Sequence, residues 1–348
     1  MDWLKLIRGK KRPDSTVGGG GAMDPPLRSL ASRCGLHVGA AVDDRALRDD
    51  PVYREILARE FNMVTCENAM KFGPLRPSRE TFSFEAADSI VAFAESHGMA
   101  VRGHALLWHE MLPKWFGSGG FSCDDAIDVL RTHIQTVTRH YAGRLAAWDV
   151  VNEAVESDGS WRQTPFLRMF GPDCLSMAFH WAHEGDPNTK LFYNDYCADE
   201  INAKSDAIYD IVCGLLEQGV PIHGVGLQMH VNVQYRPRPD SVARNIRRFA
   251  ELGLDVHITE MDVALDVPAS KRDLDKEASM YREVVGVCLA AERCKTLVTW
   301  GVTDRYSWIP HHFPGKGAPL LFDEKGQPKP AYIAMREALL AGAHVAQT

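Results

Sequence analysis

The sequence predicts an α/β protein, a closed (β/α)8 TIM barrel forming a single catalytic domain. Three observations carry this expectation. Eight short apolar runs recur along the 348 residues, segments with helical spacing lie between them, and polar residues collect where the runs end. The runs are nearly continuous in apolar residues, as expected of parallel strands covered on both faces. An open doubly wound sheet is the rival arrangement, but no G-x-G-x-x-G or G-x-x-x-x-G-K-[ST] follows any of the runs.

The elements follow in chain order. Residues 1–25, with basic residues and the run Gly18 to Gly21, lack the apolar core of a secretory signal and read as a flexible tail or linker. Residues 26–348 remain for the barrel. Run one is "LHVGAAV"; run two, "FNMVTCEN", ends in Glu67 and Asn68, with Lys71 just beyond. Run three, "MAVRGHALLW", carries His104 and Trp108. In "SCDDAIDVLRTHIQTVTRHYAG" the residues Ile127, Leu130, Ile134, Val137 and Tyr141 form one helical stripe. Ser122 with Asp125 resembles a capping box, and Gly143 stands where a helix would end. Run four, "LAAWDVVNEA", ends in Asn152 and Glu153. "DCLSMAFHWAHEGDP" repeats the helical pattern through Leu175, Ala178, Phe179 and Ala182, and stops at Gly185 before Pro187. Run five, "KLFYNDY", ends in Tyr193, Asn194 and Asp195; run six, "IHGVGLQMHV", supplies Gln228 and His230. Run seven, "LDVHITEMDV", supplies Glu260 and Asp262, and run eight, "TLVTWGVTD", gives Trp300 and then Trp308. A barrel brings all these ends to one face, where its catalytic loops sit.

Composition narrows the partners. Hydrophobic content of 45% and charged content of 24% are ordinary for a globular chain. A net charge of −7 with scattered Lys and Arg argues against nucleic acid or an anionic membrane as partner. No apolar run reaches the ~18 residues of a spanning helix.

The chemistry is carried by two glutamates on different strands. A charge at the end of a buried strand costs several kcal/mol unless it is paired or used. Paired carboxylates flanking a bond are the apparatus of glycoside hydrolysis: one donates a proton to the leaving oxygen, the other attacks the anomeric carbon. Glu153 and Glu260 fit those parts. A metal-dependent hydrolase built on His104, His230 and His257 is a rival reading, and a non-catalytic carbohydrate-binding barrel is another. No metal or cofactor is expected: no C-x-x-C occurs, and "WHEMLP" lacks the second His of H-E-x-x-H.

"ENAMK", "RGHALLWH", "WDVVNEAV", "YNDY", "GVGLQMH", "ITEMDV" and "TWGVTDRYSW" together resemble glycoside hydrolase family 10, the endo-β-1,4-xylanases, in order and approximate spacing. The resemblance runs from about Leu36 to Ala338. It implies a retaining xylanase with Glu153 as acid/base and Glu260 as nucleophile. Asn152 would bond the sugar 2-hydroxyl, and His230, supported by Asp262, would bond the nucleophile. Glu67, Asn68 and Lys71 would hold the neighbouring sugar, while His104, Trp108, Tyr193, Gln228, Trp300 and Trp308 would complete the cleft. The implied partner is xylan or xylo-oligosaccharide, met by a monomer; β-1,4-glucan is the near alternative. Cys288 and Cys294 match a disulfide of secreted members, with two buried thiols as the alternative, so a secreted or periplasmic location is expected. Three departures from the family pattern stand out: Met111, Met229 and the pair Ile309-Pro310.

Overall fold

The computed structural model describes residues 25–117 and 120–345, so the expected tail lies outside it except for Pro25. Each apolar run is a parallel strand: β1 His37–Val42, β2 Met63–Cys66, β3 Ala100–Leu107, β4 Ala147–Asn152, β5 Lys190–Asp195, β6 Gly224–Leu227, β8 Asp255–Asp266 and β9 Thr296–Thr299. These eight pair in chain order, and β9 returns to β1 through His37↔Thr296, which closes the barrel. Strands β2, β4, β6 and β9 are buried at every position. That agrees with the lack of alternation in the sequence. Two short strands are additions at the rim: β7, His230–Asn232, pairs with β8, and β10, Lys316–Gly317, pairs antiparallel to it.

The helices cover the outside, and their local chemistry sets their limits. Helix Cys123–His140 begins where Ser122 Oγ accepts from the Asp125 amide at 3.1 Å. The return half of a capping box is replaced by the Ser122 hydroxyl donating to the Asp125 carboxylate at 2.8 Å. Its inner face buries Leu130, Ile134 and Val137 as the periodicity predicts, with His133 among them, stacked on Phe72 at 3.9 Å. Helix Asp173–Gly185 ends as predicted, and its last residue is a glycine for a packing reason: a Cβ there would fall 1.8 Å from Thr138 Oγ1 of the neighbouring helix.

The register is even along the lower barrel and shifts near the upper rim. Irregularities fall between His104 and Leu107 on β3, Asp149 and Val151 on β4, and Ile258 and Met261 on β8. Such bulges re-aim side chains. They sit beside His104, Asn152 and Glu260, at the end where the polar residues gather.

Cys288 and Cys294 face each other in the core with their sulfurs 3.4 Å apart. Both are free thiols, so the bridge implied by the resemblance is not formed in this structure; they pack as the small buried alternative.

Candidate active site

A cleft of about 720 Å³ opens at the C-terminal face of the barrel. Glu67, Asn68, Lys71, His104, Trp108, Glu153, Gln228, His230, Glu260, Asp262, Trp300 and Trp308 line it, coming from the ends of β2, β3, β4, β6, β8 and β9 and the loops that follow. Barrel closure is what brings them together, since no single stretch of chain holds more than three of them.

Glu260 lies 3% exposed on β8. Its Oε1 accepts from Asn194 Nδ2 at 2.7 Å, and its Oε2 faces His230 Nε2 at 3.2 Å. Nδ1 of His104 lies 3.9 Å from Oε1. Burial by itself would push this carboxyl up, but His104 and His230 outweigh it, and the pKa falls below the usual carboxylate value. His230 is held by two acids, with Asp262 Oδ1 3.0 Å from Nδ1. Burial disfavours its imidazolium, yet Asp262 and then Glu260 keep its pKa well above the ordinary histidine value. The strand register places the pair, because His230 on β7 stands opposite Asp262 on β8.

Glu153 is the residue after β4, in the left-handed region at φ 60°. A non-glycine residue held there stores strain that its surroundings must maintain. Its amide donates to the Asn194 carbonyl at 2.9 Å, and its own carbonyl accepts from Arg162 Nε at 2.9 Å. Its Oε1 accepts from Gln228 Nε2 at 3.1 Å and Asn152 Nδ2 at 3.2 Å. Met111 and Cys197, also at positive φ, line the same cleft.

The other predicted residues form a polar and aromatic wall. Lys71 Nζ bonds Asn68 Oδ1 at 2.9 Å and lies 4.6 Å over the Trp108 ring. Burial pushes the Glu67 carboxyl up to about 7, against the opposing charge of Lys71. Near neutral pH it therefore both donates and accepts, which suits a sugar hydroxyl. Trp300 meets His104 edge-on at 5.1 Å.

One expectation is corrected. Tyr193 is fully buried and does not line the cleft; its hydroxyl donates to Asp195 Oδ2 at 2.7 Å. Strand parity turns it away from the barrel axis, opposite to Asn194, and the cleft contact falls to Tyr196. Asn152 is 3% exposed, as Glu260 is; its Oδ1 accepts from Asn194 at 2.8 Å and its Nδ2 donates to Glu153 Oε1 at 3.2 Å. His257 packs on Phe192 at 4.3 Å and does not join His104 and His230. Among the described residues no group of three or more His, Cys, Asp or Glu is arranged to hold a metal ion.

Sequence reasoning gave several residues no role. Asn194 links Glu260 to Asn152 and accepts from Thr259 at 2.7 Å. Its signal was present in "YNDY", an amide in an apolar strand. Arg102 and Asp149 form a fully buried ion pair at 2.7 Å, and Asp149 Oδ2 accepts from His104 Nδ1 at 3.0 Å. Arg162, His312, Phe313 and Lys316 also line the cleft, from loops with no distinctive pattern.

Residues 26–338 match the sequence model of Glycosyl hydrolase family 10. An endo-1,4-beta-xylanase B of Thermotoga neapolitana is 42% identical over 321 residues, covering 91% of this chain and 92% of its own. The crystal structure of xylanase 10B from Thermotoga petrophila in complex with xylobiose superposes with a TM-score of 0.90 at 41% identity, covering 93% of this chain and 100% of that one. TsXylA, an intracellular xylanase from Thermoanaerobacterium saccharolyticum, gives a TM-score of 0.84 at 38% identity, covering 90% and 99%.

Proposed function

This chain belongs to glycosyl hydrolase family 10, and from that premise we propose how its residues divide the work of an endo-1,4-β-xylanase acting with retention. Glu260 attacks the anomeric carbon while Glu153 gives its proton to the departing glycosidic oxygen. The bond to the leaving sugar breaks, and a glycosyl ester on Glu260 remains. Glu153, now ionised, takes a proton from water; the water oxygen attacks the anomeric carbon and frees Glu260. One observation carries the assignment. Glu260 is buried among His230, Asn194 and His104, which favour its ionised form, while Glu153 faces the amides of Gln228 and Asn152 across the same cleft. Glu260 is set to stay charged, and Glu153 is the other carboxyl lining the same cleft, left for proton transfer.

Neutral sugars present hydroxyls and weakly apolar ring faces. Asn68, Lys71 and Gln228 supply polar contacts, and Trp108, Trp300 and Trp308 supply ring surfaces. The substrate read from this is xylan or xylo-oligosaccharide. Among the described residues no helix is long and apolar enough to cross a membrane. We further propose a secreted or periplasmic location, because polymeric xylan does not cross a membrane.

The test is leaving-group dependence. Glu153→Ala is expected to lose on the order of 100-fold or more on xylan while keeping far more activity on aryl xylobiosides whose leaving group needs no proton. Equal losses on both substrates would remove Glu153 from the acid role.

A further inference from the structure

Building on the reading of Glu260 as nucleophile, we propose that Trp308 is a positioning residue for that nucleophile, acting through Asp262 and His230 by its indole N–H, in addition to being a wall of the cleft. Trp308 Nε1 donates to Asp262 Oδ2 at 2.7 Å. The other oxygen of the same carboxylate lies 3.0 Å from His230 Nδ1, and His230 Nε2 faces Glu260 Oε2 at 3.2 Å. The four groups form a series from the rim of the cleft to the reacting atom, with hydrogen bonds at Trp308–Asp262 and His230–Glu260 and an ion-pair contact between Asp262 and His230.

The physical reason lies in the freedom of a carboxylate. Asp262 is fully buried, and one bond alone leaves its two oxygens able to exchange by rotation about Cβ–Cγ. The indole fixes one oxygen, so the other stays aimed at His230 Nδ1. The imidazole is then held at both nitrogens, with Nε2 directed at Glu260. Trp308 is itself restrained: its ring meets His230 at 5.0 Å, His312 at 4.8 Å and Phe313 at 5.7 Å, each edge-on. A sugar platform needs only the ring face. The N–H turned toward a buried acid serves something else, and the group it reaches is the one that orients the nucleophile.

Glu260 is faced by His104 from β3, Asn194 from β5 and His230 from β7, with charge contributed from farther away by Asp149 and Lys71. Loosening His230 removes a proton donor and a positive charge from this set and leaves the rest in place. The sign follows: the carboxylate becomes easier to protonate, and the acid limb of kcat/KM moves to higher pH.

The experiment starts with the wild-type chain and a 2-fluoro xylobioside. Label on a residue other than Glu260 overturns the nucleophile reading itself; label on Glu260 leaves the role of Trp308 to the variants. Two of these remove the N–H: Trp308→Phe, and replacement by 3-benzothienylalanine, which keeps the bicyclic ring and sets a sulfur where the N–H was. On an aryl xylobioside with a good leaving group, both are expected to lower kcat about tenfold with KM within about twofold of wild type. The acid limb should rise by about half a pH unit or more. Trp308→Phe made in the Asp262→Asn background should add less than about a twofold further loss, because its route to Glu260 is already cut. A raised KM with kcat and the acid limb unchanged would reduce Trp308 to a platform. Fully additive losses with Asp262→Asn would likewise overturn the series.

Discussion

At the scale of single residues, the site works by giving two glutamates different company. Glu260 is surrounded by donors and imidazole charge, and its pKa is lowered by them against the effect of burial. Activity on a substrate with a good leaving group is therefore expected to persist below about pH 4.5, the ordinary value for a glutamate, and a pH profile of kcat/KM checks it. Asn194 donates to the same carboxylate at 2.7 Å. Asn194→Ala should lower kcat/KM by about 10- to 100-fold, the worth of one hydrogen bond to a charged group. Tyr193 provides the contrast. Its hydroxyl meets Asp195 in the interior, so Tyr193→Phe should leave KM and kcat within about twofold and instead lower stability by about 1.5–3 kcal/mol, read from denaturant unfolding.

At the scale of elements, the strands set the height of each side chain and the bulges aim it. Glu260 and Asp262 share β8, and β7 adds His230 beside Asp262 by direct register. The helices contribute by packing closely enough to hold the barrel round. Helix Asp173–Gly185 meets helix Cys123–His140 at Gly185, where a Cβ would fall 1.8 Å from the Thr138 hydroxyl oxygen. Gly185→Ala is expected to cost about 1–3 kcal/mol by overpacking, and adding Thr138→Ala should recover part of the loss by opening the facing side. Thermal melts of the two single variants and the double variant make the comparison. Full additivity would mean that the helices do not meet as described.

At the scale of the whole molecule, the loop that carries Trp308 is tied to the barrel wall by buried charge. Lys329 Nζ lies 2.9 Å from Glu277 Oε1 and 3.1 Å from Asp304 Oδ2, and it also bonds the carbonyls of Ala318 and Leu320. One ammonium serves two carboxyls. Burial, partly opposed by Lys329, pushes Glu277 up to about 8. The folded chain thus holds a proton on Glu277 until about pH 8, while the unfolded chain releases it near 4.5, so stability is expected to fall as pH rises across that window. Glu277→Gln should flatten the decline, measured as Tm from pH 5 to 9. Removing the shared cation by Lys329→Met should cost about 3–5 kcal/mol, because it leaves buried acids without their partner.

The sequence by itself determined the strands, the helices packed between them and the closure into a barrel, and it singled out the two glutamates proposed to act. These depend on local patterning: apolar runs are set by burial on both faces, and a carboxylate closing such a run is conspicuous because burial would otherwise penalise it. Only the tertiary structure decided which polar neighbours serve the chemistry. Tyr193, Asn194 and Asp195 are adjacent letters, yet Tyr193 and Asp195 meet each other while Asn194 reaches Glu260. The pairing of Arg102 with Asp149 and the reach of Trp308 to Asp262 were equally invisible in one dimension. Each depends on the distance between side chains remote in sequence, and barrel closure and strand register fix that distance where local residue pattern does not.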